Sequence, residues 1–312
     1  MKEDLKLKVI PYGPDDLDLT WHFMIRDELL KKTVGQAKRV LDVGCGKGDV
    51  LLMLSKQIGR GVGMDKSEGE VVAAEKKRKK RGIKNLKFMW ANALDIPFPS
   101  NAFDVVLCLG EVLQYVYGKE DRILSEIRRV LKRDGLTVHG CANWDVEFIE
   151  GPSWTYFLRT KDGRFHFKRA KRTASGRETG RSYEVLPDTP LHHWILKQKW
   201  PFCPQDPQGH NTSLDIVEEE PIPRKWLKFR RIGRNLYHTP RSIKRRHQKA
   251  GFKDVEVFPY GGTYDIVTKA GLFKTVGRSR TKLMAKLARA EAETVLKFRM
   301  GSGGELFLIA KK

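Results

Sequence analysis

The chain has 312 residues, enough to bury the core of one large or two modest domains, and its 40% hydrophobic content is too high for a disordered chain carrying this charge. No apolar run approaches the ~18 residues needed to span a bilayer, and the start MKEDLKLKVIPYGP has no apolar signal segment, so a cytoplasmic protein is expected, with peripheral membrane contact as the alternative. Sixty Lys and Arg against 38 Asp and Glu give a formal charge of +22, which attracts phosphate in nucleic acid, anionic lipid or a phosphorylated carrier and equally serves solubility.

Residues 1–32 read as an extended arm and a helix. The arm runs to Leu19 with Pro11, Gly13 and Pro14, and Thr20 then caps a helix whose stripe is Phe23, Met24, Ile25, Leu29 and Leu30. Residues 33–144 alternate short apolar runs with helical patterns. Arg39–Val43 is a buried strand carrying Asp42, and Gly44, Gly46 and Gly48 break it into a loop before a helix from Val50 to Lys56. The spacing G-x-G-x-G is one residue tighter than the dinucleotide fingerprint, and no Lys-Ser/Thr pair closes it as in a Walker loop. Gly61–Met64 forms a second strand ending at Asp65, where a doubly wound fold places the acid that binds ribose hydroxyls.

A helix to Arg81 follows, ending in KKRKKR, which complements its dipole. Then come strands at Leu86–Trp90 and Phe103–Leu109, a helix with Leu124, Ile127, Val130 and Leu131 inward, and a strand at Leu136–Ala142. Residues 145–235 change character. WTYFLRTKDGRFHFKRAKR mixes rings with cations, Phe165, Phe167 and Tyr183 suggest short strands, and Leu214–Pro223 is acidic and bounded by proline. Residues 236–312 return to the earlier pattern. Thr239-Pro240 starts a helix, Val255–Pro259 is a sixth strand, and Glu305–Ala310 is expected to complete the sheet at its edge. Between the last two, residues 278–299 hold a basic amphipathic helix, with Leu283, Met284, Leu287, Ala288, Ala292, Val295 and Leu296 on one face. Such a helix either docks on an anionic membrane or a partner or packs on the protein's own sheet.

The runs VLDVGCGKGD (40–49), VGMDKS (62–67), ANALDIPFPSNAFDVVLC (91–108), GEVLQYV (110–116), IRRVLKRDGLTVHG (127–140) and YHTPRSIKRRHQKAGFKDVEVF (237–258), in this order, resemble the class I S-adenosylmethionine-dependent methyltransferases. The resemblance covers residues 33–144 and 236–312. It implies a doubly wound, Rossmann-like α/β fold of seven strands, mostly parallel with an antiparallel last strand, and S-adenosyl-L-methionine as cofactor. It places Asp42, Gly44, Cys45, Gly46, Asp65, Lys66, Asn92, Ala93 and Leu109 around that cofactor. The family usually has an acid where Asn92 stands; the Asn92 amide oxygen can still accept a hydrogen bond from the adenine amino group. In the family a helix before the first strand often closes over the methionine end, which makes Arg26 the candidate for its carboxylate, with a solvated helix arginine as the other reading.

In open α/β sheets ligands sit at the carboxyl ends of strands, so Glu111, Gln114 and Tyr115 are the first candidates for substrate contacts, capping and packing being their bland roles. His238, His192 or His193 can supply a base for an oxygen nucleophile. The histidines and Cys203 do not have metal-ligand spacing, and Cys45, Cys108 and Cys141 lie on or beside core strands as expected of buried thiols. The insert is expected to cap the active site. A small-molecule or lipid-linked acceptor of the glycan, polyprenyl or quinone type is the leading expectation. RNA, favoured by the charge and the aromatic-cation insert, is the alternative, and a cofactor-binding scaffold without catalysis is a third.

Overall fold

The computed structural model describes residues 8–12, 16–110, 112–113, 116, 118–143, 153–159, 163–171, 181–198, 212–218, 222–230, 238–263, 280–303 and 305–312. In chain order the first elements are strand β1 (Lys8–Tyr12), helix α1 (Asp16–Val34), β2 (Arg39–Val43), α2 (Asp49–Leu54), β3 (Arg60–Asp65), α3 (Glu68–Lys80), β4 (Leu86–Trp90) and β5 (Phe103–Cys108). Next are α4 (Glu120–Val130), β6 (Leu131–Ala142), β7 (Ser153–Arg159), β8 (Phe165–Lys171), β9 (Arg181–Val185), α5 (Pro190–Leu196) and β10 (Thr212–Glu218). Strand β11 (Leu227–Arg230), α6 (Pro240–Lys249), β12 (Lys253–Tyr260), α7 (Arg280–Phe298) and β13 (Glu305–Lys311) complete the chain. It divides into two compact units, Thr20–Glu147 with Leu236–Lys312, and Met1–Leu19 with Phe148–Asn235.

The first unit is a seven-stranded sheet in the order β12-β13-β6-β5-β2-β3-β4, the doubly wound α/β arrangement that the alternation of apolar runs and helical patterns implies. Strands β2 to β6 of this sheet pair in parallel, and β13 runs antiparallel to both β12 and β6. Strand β13 is therefore internal, not the edge strand expected, and β12 takes the edge. The reason is in its residues: Leu306, Phe307 and Leu308 are all 0% exposed, and an unbroken apolar run belongs to a strand covered on both faces. Strand β6 begins at Leu131, earlier than the expected Leu136, because Leu131 pairs with Phe103 ahead of a register shift. Helix α1 likewise begins at Asp16 ahead of the expected cap Thr20.

The core of this unit joins Leu41 and Val43 of β2, Val106 and Cys108 of β5, and Ile123, Leu124, Ile127 and Val130 of α4. Helix α7 buries Met284, Ala288, Ala292 and Val295 and exposes Lys282, Lys286 and Arg289. Of the two readings of its stripe, packing on the protein itself is the one found. Arg289 and Glu293 on its outer side meet Glu28 and Lys32 of α1 at 3.5 and 3.1 Å.

The second unit is a six-stranded antiparallel sheet, β1-β10-β7-β8-β9-β11. The amino-terminal arm thus contributes a strand, β1, to the sheet of residues 148–235. Phe157, Phe167, Tyr183 and Phe229 stand directly opposite one another on four neighbouring strands. Phe157, Phe165, Phe167, Val185, Leu191, Ile195 and Trp226 form a separate core there.

Candidate functional site

The carboxyl ends of β2 and β3 and the loop between β2 and α2 make one cradle. Gly44 has φ +76°, a left-handed conformation that L side chains avoid, and a Cβ there would collide with a methyl of Val112 from the loop after β5. Gly63 faces a second restriction, since an added Cβ would lie 2.5 Å from the Phe88 ring and 2.9 Å from Cys45 Sγ. The loop is folded back on β3 by the amides of Gly44 and Cys45, which donate to Met64 O at 2.8 and 3.1 Å.

Asp65 is fixed by two backbone donors, Gly46 N to Oδ2 and Ser67 N to Oδ1, both at 2.9 Å. Each carboxylate oxygen keeps a lone pair for a ligand hydroxyl. Asp42 is only 2% exposed. Burial pushes its carboxyl up to about 7, helped by Asp65 and opposed by the charge of Arg26. An anchored carboxylate, a buried one that titrates near neutrality and a cation acting on the latter suit a ligand with hydroxyls at one end and positive charge further along. These are features of S-adenosylmethionine, and the residues present fit it.

The remaining expected contacts distribute unevenly. Cys45 is half-buried, its Sγ 3.6 Å from Gly46 O, and burial raises its thiol, so it is no nucleophile. Lys66 is exposed, but its carbonyl accepts from Trp90 Nε1 at 3.0 Å. Asn92 is exposed, and Oδ1 accepts from Leu94 N at 3.0 Å, so the oxygen expected to meet adenine also closes its own turn. Ala93 is half-buried against the core and Leu109 is buried. Arg26 pairs with Asp27 at 2.7 Å and lies over the Phe23 ring at 4.6 Å.

Glu111, Gln114 and Tyr115 lie outside the described residues. His238 is 1% exposed, bridges to Asn143 through the backbone just past β6, and has no hydrogen-bond partner at Nε2 among the described residues. Burial pushes it down to about 3, with Arg246 and His247 adding to the effect. The near-neutral imidazole expected of a base is therefore not what stands at His238. His192 and His193 belong to the second unit, on α5; His192 packs on Phe165 at 5.7 Å, and His193 is exposed with Nε2 4.0 Å from Asp188. Among the described residues no three His, Cys, Asp or Glu side chains are grouped to hold a metal ion.

A groove of about 740 Å³ opens elsewhere on the first unit, beside β12. Its acids Asp254 and Glu256 are already paired with Lys311 and Arg299 at 2.9 and 3.0 Å, and no expected site residue lines it.

Sequence reasoning missed the residues that shape the loop after β4. Arg129 donates through Nη1 to Phe98 O at 2.7 Å and through Nη2 to Ile96 O at 2.8 Å. Its Nε and Nη2 also hold Glu126 at 2.9 and 2.8 Å. Glu126 in turn accepts from Ile96 N at 2.9 Å, and the guanidinium holds its carboxyl below the usual range. The signal was available: Glu126 falls among Leu124, Ile127 and Val130, on the apolar side of α4, where an acid needs a partner.

Residues 40–135 match a family described as "Methyltransferase domain". A demethylmenaquinone methyltransferase of Geobacillus kaustophilus (strain HTA426) is 36% identical over 124 residues, 38% of this chain and 51% of that protein. An uncharacterized methyltransferase, YcgJ of Bacillus subtilis (strain 168), is 31% identical over 97 residues, 31% of this chain and 38% of that protein. The chain spans about half the length of the curated demethylmenaquinone methyltransferases it matches. A solved S-adenosylmethionine-dependent methyltransferase from Clostridium acetobutylicum ATCC 824 shares the fold at a TM-score of 0.51 and 10% identity, over 95% of this chain and 92% of that one.

Proposed function

From a core that belongs to the class I S-adenosylmethionine-dependent methyltransferases, we propose that this protein transfers a methyl group from S-adenosyl-L-methionine to a small-molecule or lipid-linked acceptor of the quinone type. The observation that carries the reading is Asp65, held between Gly46 N and Ser67 N beside the buried Asp42. The curated relatives that match 36–38% of this chain at 34–36% identity are named for a demethylated menaquinone, which supports the acceptor class.

The cofactor, when bound, supplies a methyl carbon already activated on a sulfonium. The chain's part is binding and orientation. Asp65 would accept from the ribose hydroxyls, the loop from Gly44 to Gly48 would let the ligand approach the backbone, and Asp42, on which the charge of Arg26 acts, would offer a carboxylate to the ligand's positive charge. Leu109 and Leu113, both buried, exclude water from the carboxyl end of β5. No described helix is long and apolar enough to cross a membrane.

The test is incubation of the full chain with methyl-labelled cofactor, in parallel with a lipid extract containing demethylated naphthoquinols and with total RNA. Label is expected in the quinone fraction and lost in Asp65→Ala. Label confined to RNA replaces the acceptor with the one that the +22 charge favours. Cofactor binding with no transfer to either pool leaves a scaffold instead of an enzyme.

A further inference from the structure

Two loops flank the nucleoside end of the cradle. One follows β3 at Asp65, the other follows β4, and the strands bring them together: Asp65 stands opposite Trp90, and Ala91 N donates to Asp65 O at 3.0 Å. The second loop, residues 91–98, has little regular pairing of its own: its local bonds are Asp95 N to Asn92 O, Phe98 N to Ile96 O and the turn closed by Leu94 N on Asn92 Oδ1. Its shape comes from α4. Arg122 Nε donates to Leu94 O at 3.0 Å, Arg129 holds Ile96 O and Phe98 O, and Glu126 accepts from Ile96 N. Glu126 is 4% exposed and gripped bidentately by Arg129, so the guanidinium can neither rotate nor leave without stranding a buried carboxylate.

We propose that this buckle on α4, Glu126 and Arg129 with Arg122, is a positioning device that sets the affinity and base selectivity of the cofactor's adenine end by holding the backbone of Leu94–Phe98. The proposal rests on the cofactor reading above and deepens it. None of the three side chains is assigned to touch the ligand. They fix carbonyls and an amide on the wall behind Asn92 and Leu94, so that edge contacts to the base are made without first ordering the loop. A free loop would have to be ordered at each binding event.

The experiment is calorimetric titration with S-adenosylhomocysteine and with its 6-oxo analogue S-inosylhomocysteine, for wild type, Arg122→Ala, Arg129→Lys and Glu126→Gln. Wild type is expected to prefer the adenosyl ligand. Arg122→Ala removes the exposed bond to Leu94 O and a 3.9 Å ion pair with Glu126 and should weaken that ligand two- to five-fold, and Arg129→Lys, which loses the fork, by about ten-fold, as expected for one and for several hydrogen bonds. In both, the ratio between the two ligands should shrink, which a general loss of stability would not produce. Arg122 is exposed and its 3.9 Å contact with Glu126 leaves the grip of Arg129 intact when removed, so Arg122→Ala reports even if the Glu126 and Arg129 variants fail to fold. Unchanged affinity and unchanged ratio in Arg122→Ala and in every variant that folds overturn the buckle. Wild type binding neither ligand overturns the cofactor reading itself, a separate outcome.

Discussion

Asp42 is placed where its charge costs stability and serves binding. An unfolded aspartate titrates near 3.8, whereas in the fold burial holds Asp42 up to about 7. The native state therefore binds the extra proton between these values, and the contribution of this group to stability is greatest below 3.8 and lost as pH rises through 7. Asp42→Asn removes the ionisation, so the variant should be more stable than wild type at pH 8 by about 2–4 kcal/mol and equal to it near pH 4, read from urea midpoints. Cofactor affinity should respond in the opposite sense. A positively charged ligand prefers the ionised carboxylate, so wild-type binding is expected to tighten from pH 6 to pH 8, and Asp42→Asn to bind weakly and without that dependence. A wild-type affinity flat across this range removes Asp42 from the positive end of the ligand. Asp42, Gly44 and Asp65 were legible because an acid at a strand end beside glycines is written in consecutive residues. Glu126 was legible only as an acid among the apolar positions of α4 with Arg129 one turn on; the loop the pair holds was not, since those partners are backbone atoms some 30 positions away in the chain, and a backbone atom has no letter.

At the scale of elements, helix α7 shows how a local pattern is resolved by its surroundings. Its periodicity allowed a membrane face or a core face, and only the neighbours decide. Glu291, 9% exposed on the inner side, settles how tightly it docks: it accepts from Gly261 N at 2.7 Å and from the Thr263 hydroxyl, tying α7 to the turn after β12. Glu291→Ala leaves a buried N–H without a partner and should lower stability by about 2 kcal/mol, with Glu291→Gln intermediate because its amide oxygen still accepts. Equal urea midpoints for the three proteins would mean that the turn finds water instead. Strands β2, β3, β4 and β5 were placed within a residue or so from apolar runs bounded by glycine, asparagine or acid. Strand β13 was placed in sequence but not in the sheet, because neighbour order is a long-range property, although its unbroken Leu306-Phe307-Leu308 run carried the hint of burial on both faces. The four-ring row of the second unit was likewise visible only as scattered aromatics, since register across strands joins residues such as Phe157 and Phe167 that no short window contains.

For the whole molecule, the response to acid is set by three histidines buried in the first unit. His139 on β6 and His247 on α6 meet edge to face with ring centroids 4.3 Å apart, and His238 lies just before α6. His139 Nε2 faces the Thr137 hydroxyl at 2.9 Å and His247 Nδ1 faces Ile243 O at 2.9 Å, while Arg246 is the cation that acts on His238 and His247. Burial pushes His238 down to about 3, His247 to about 4 and His139 well below its ordinary value. These groups are neutral in the fold, so the stability they contribute is fully present above 6.5 and is lost as pH falls toward their folded values, at about 1.4 kcal/mol per pH unit for each. Asp42 works in the opposite direction over much of the same range, one proton against three, so the balance is loss. The excess of cations, +22 at pH 7 and larger once carboxylates protonate, adds repulsion in the same sense. Because the chain has two compact units, the measurement must report on this one: amide exchange of β6 and α6 under increasing urea, at pH 4.5, 5.5, 6.5 and 7.5. Protection is expected to be level from 7.5 to 6.5 and to collapse progressively below, with a shallower fall in His247→Gln, which has no proton to take up. Protection that holds to pH 4.5 in wild type would mean that the imidazoles stay neutral without cost to the fold, or reach water without opening it, and the cluster would then play no part in acid unfolding.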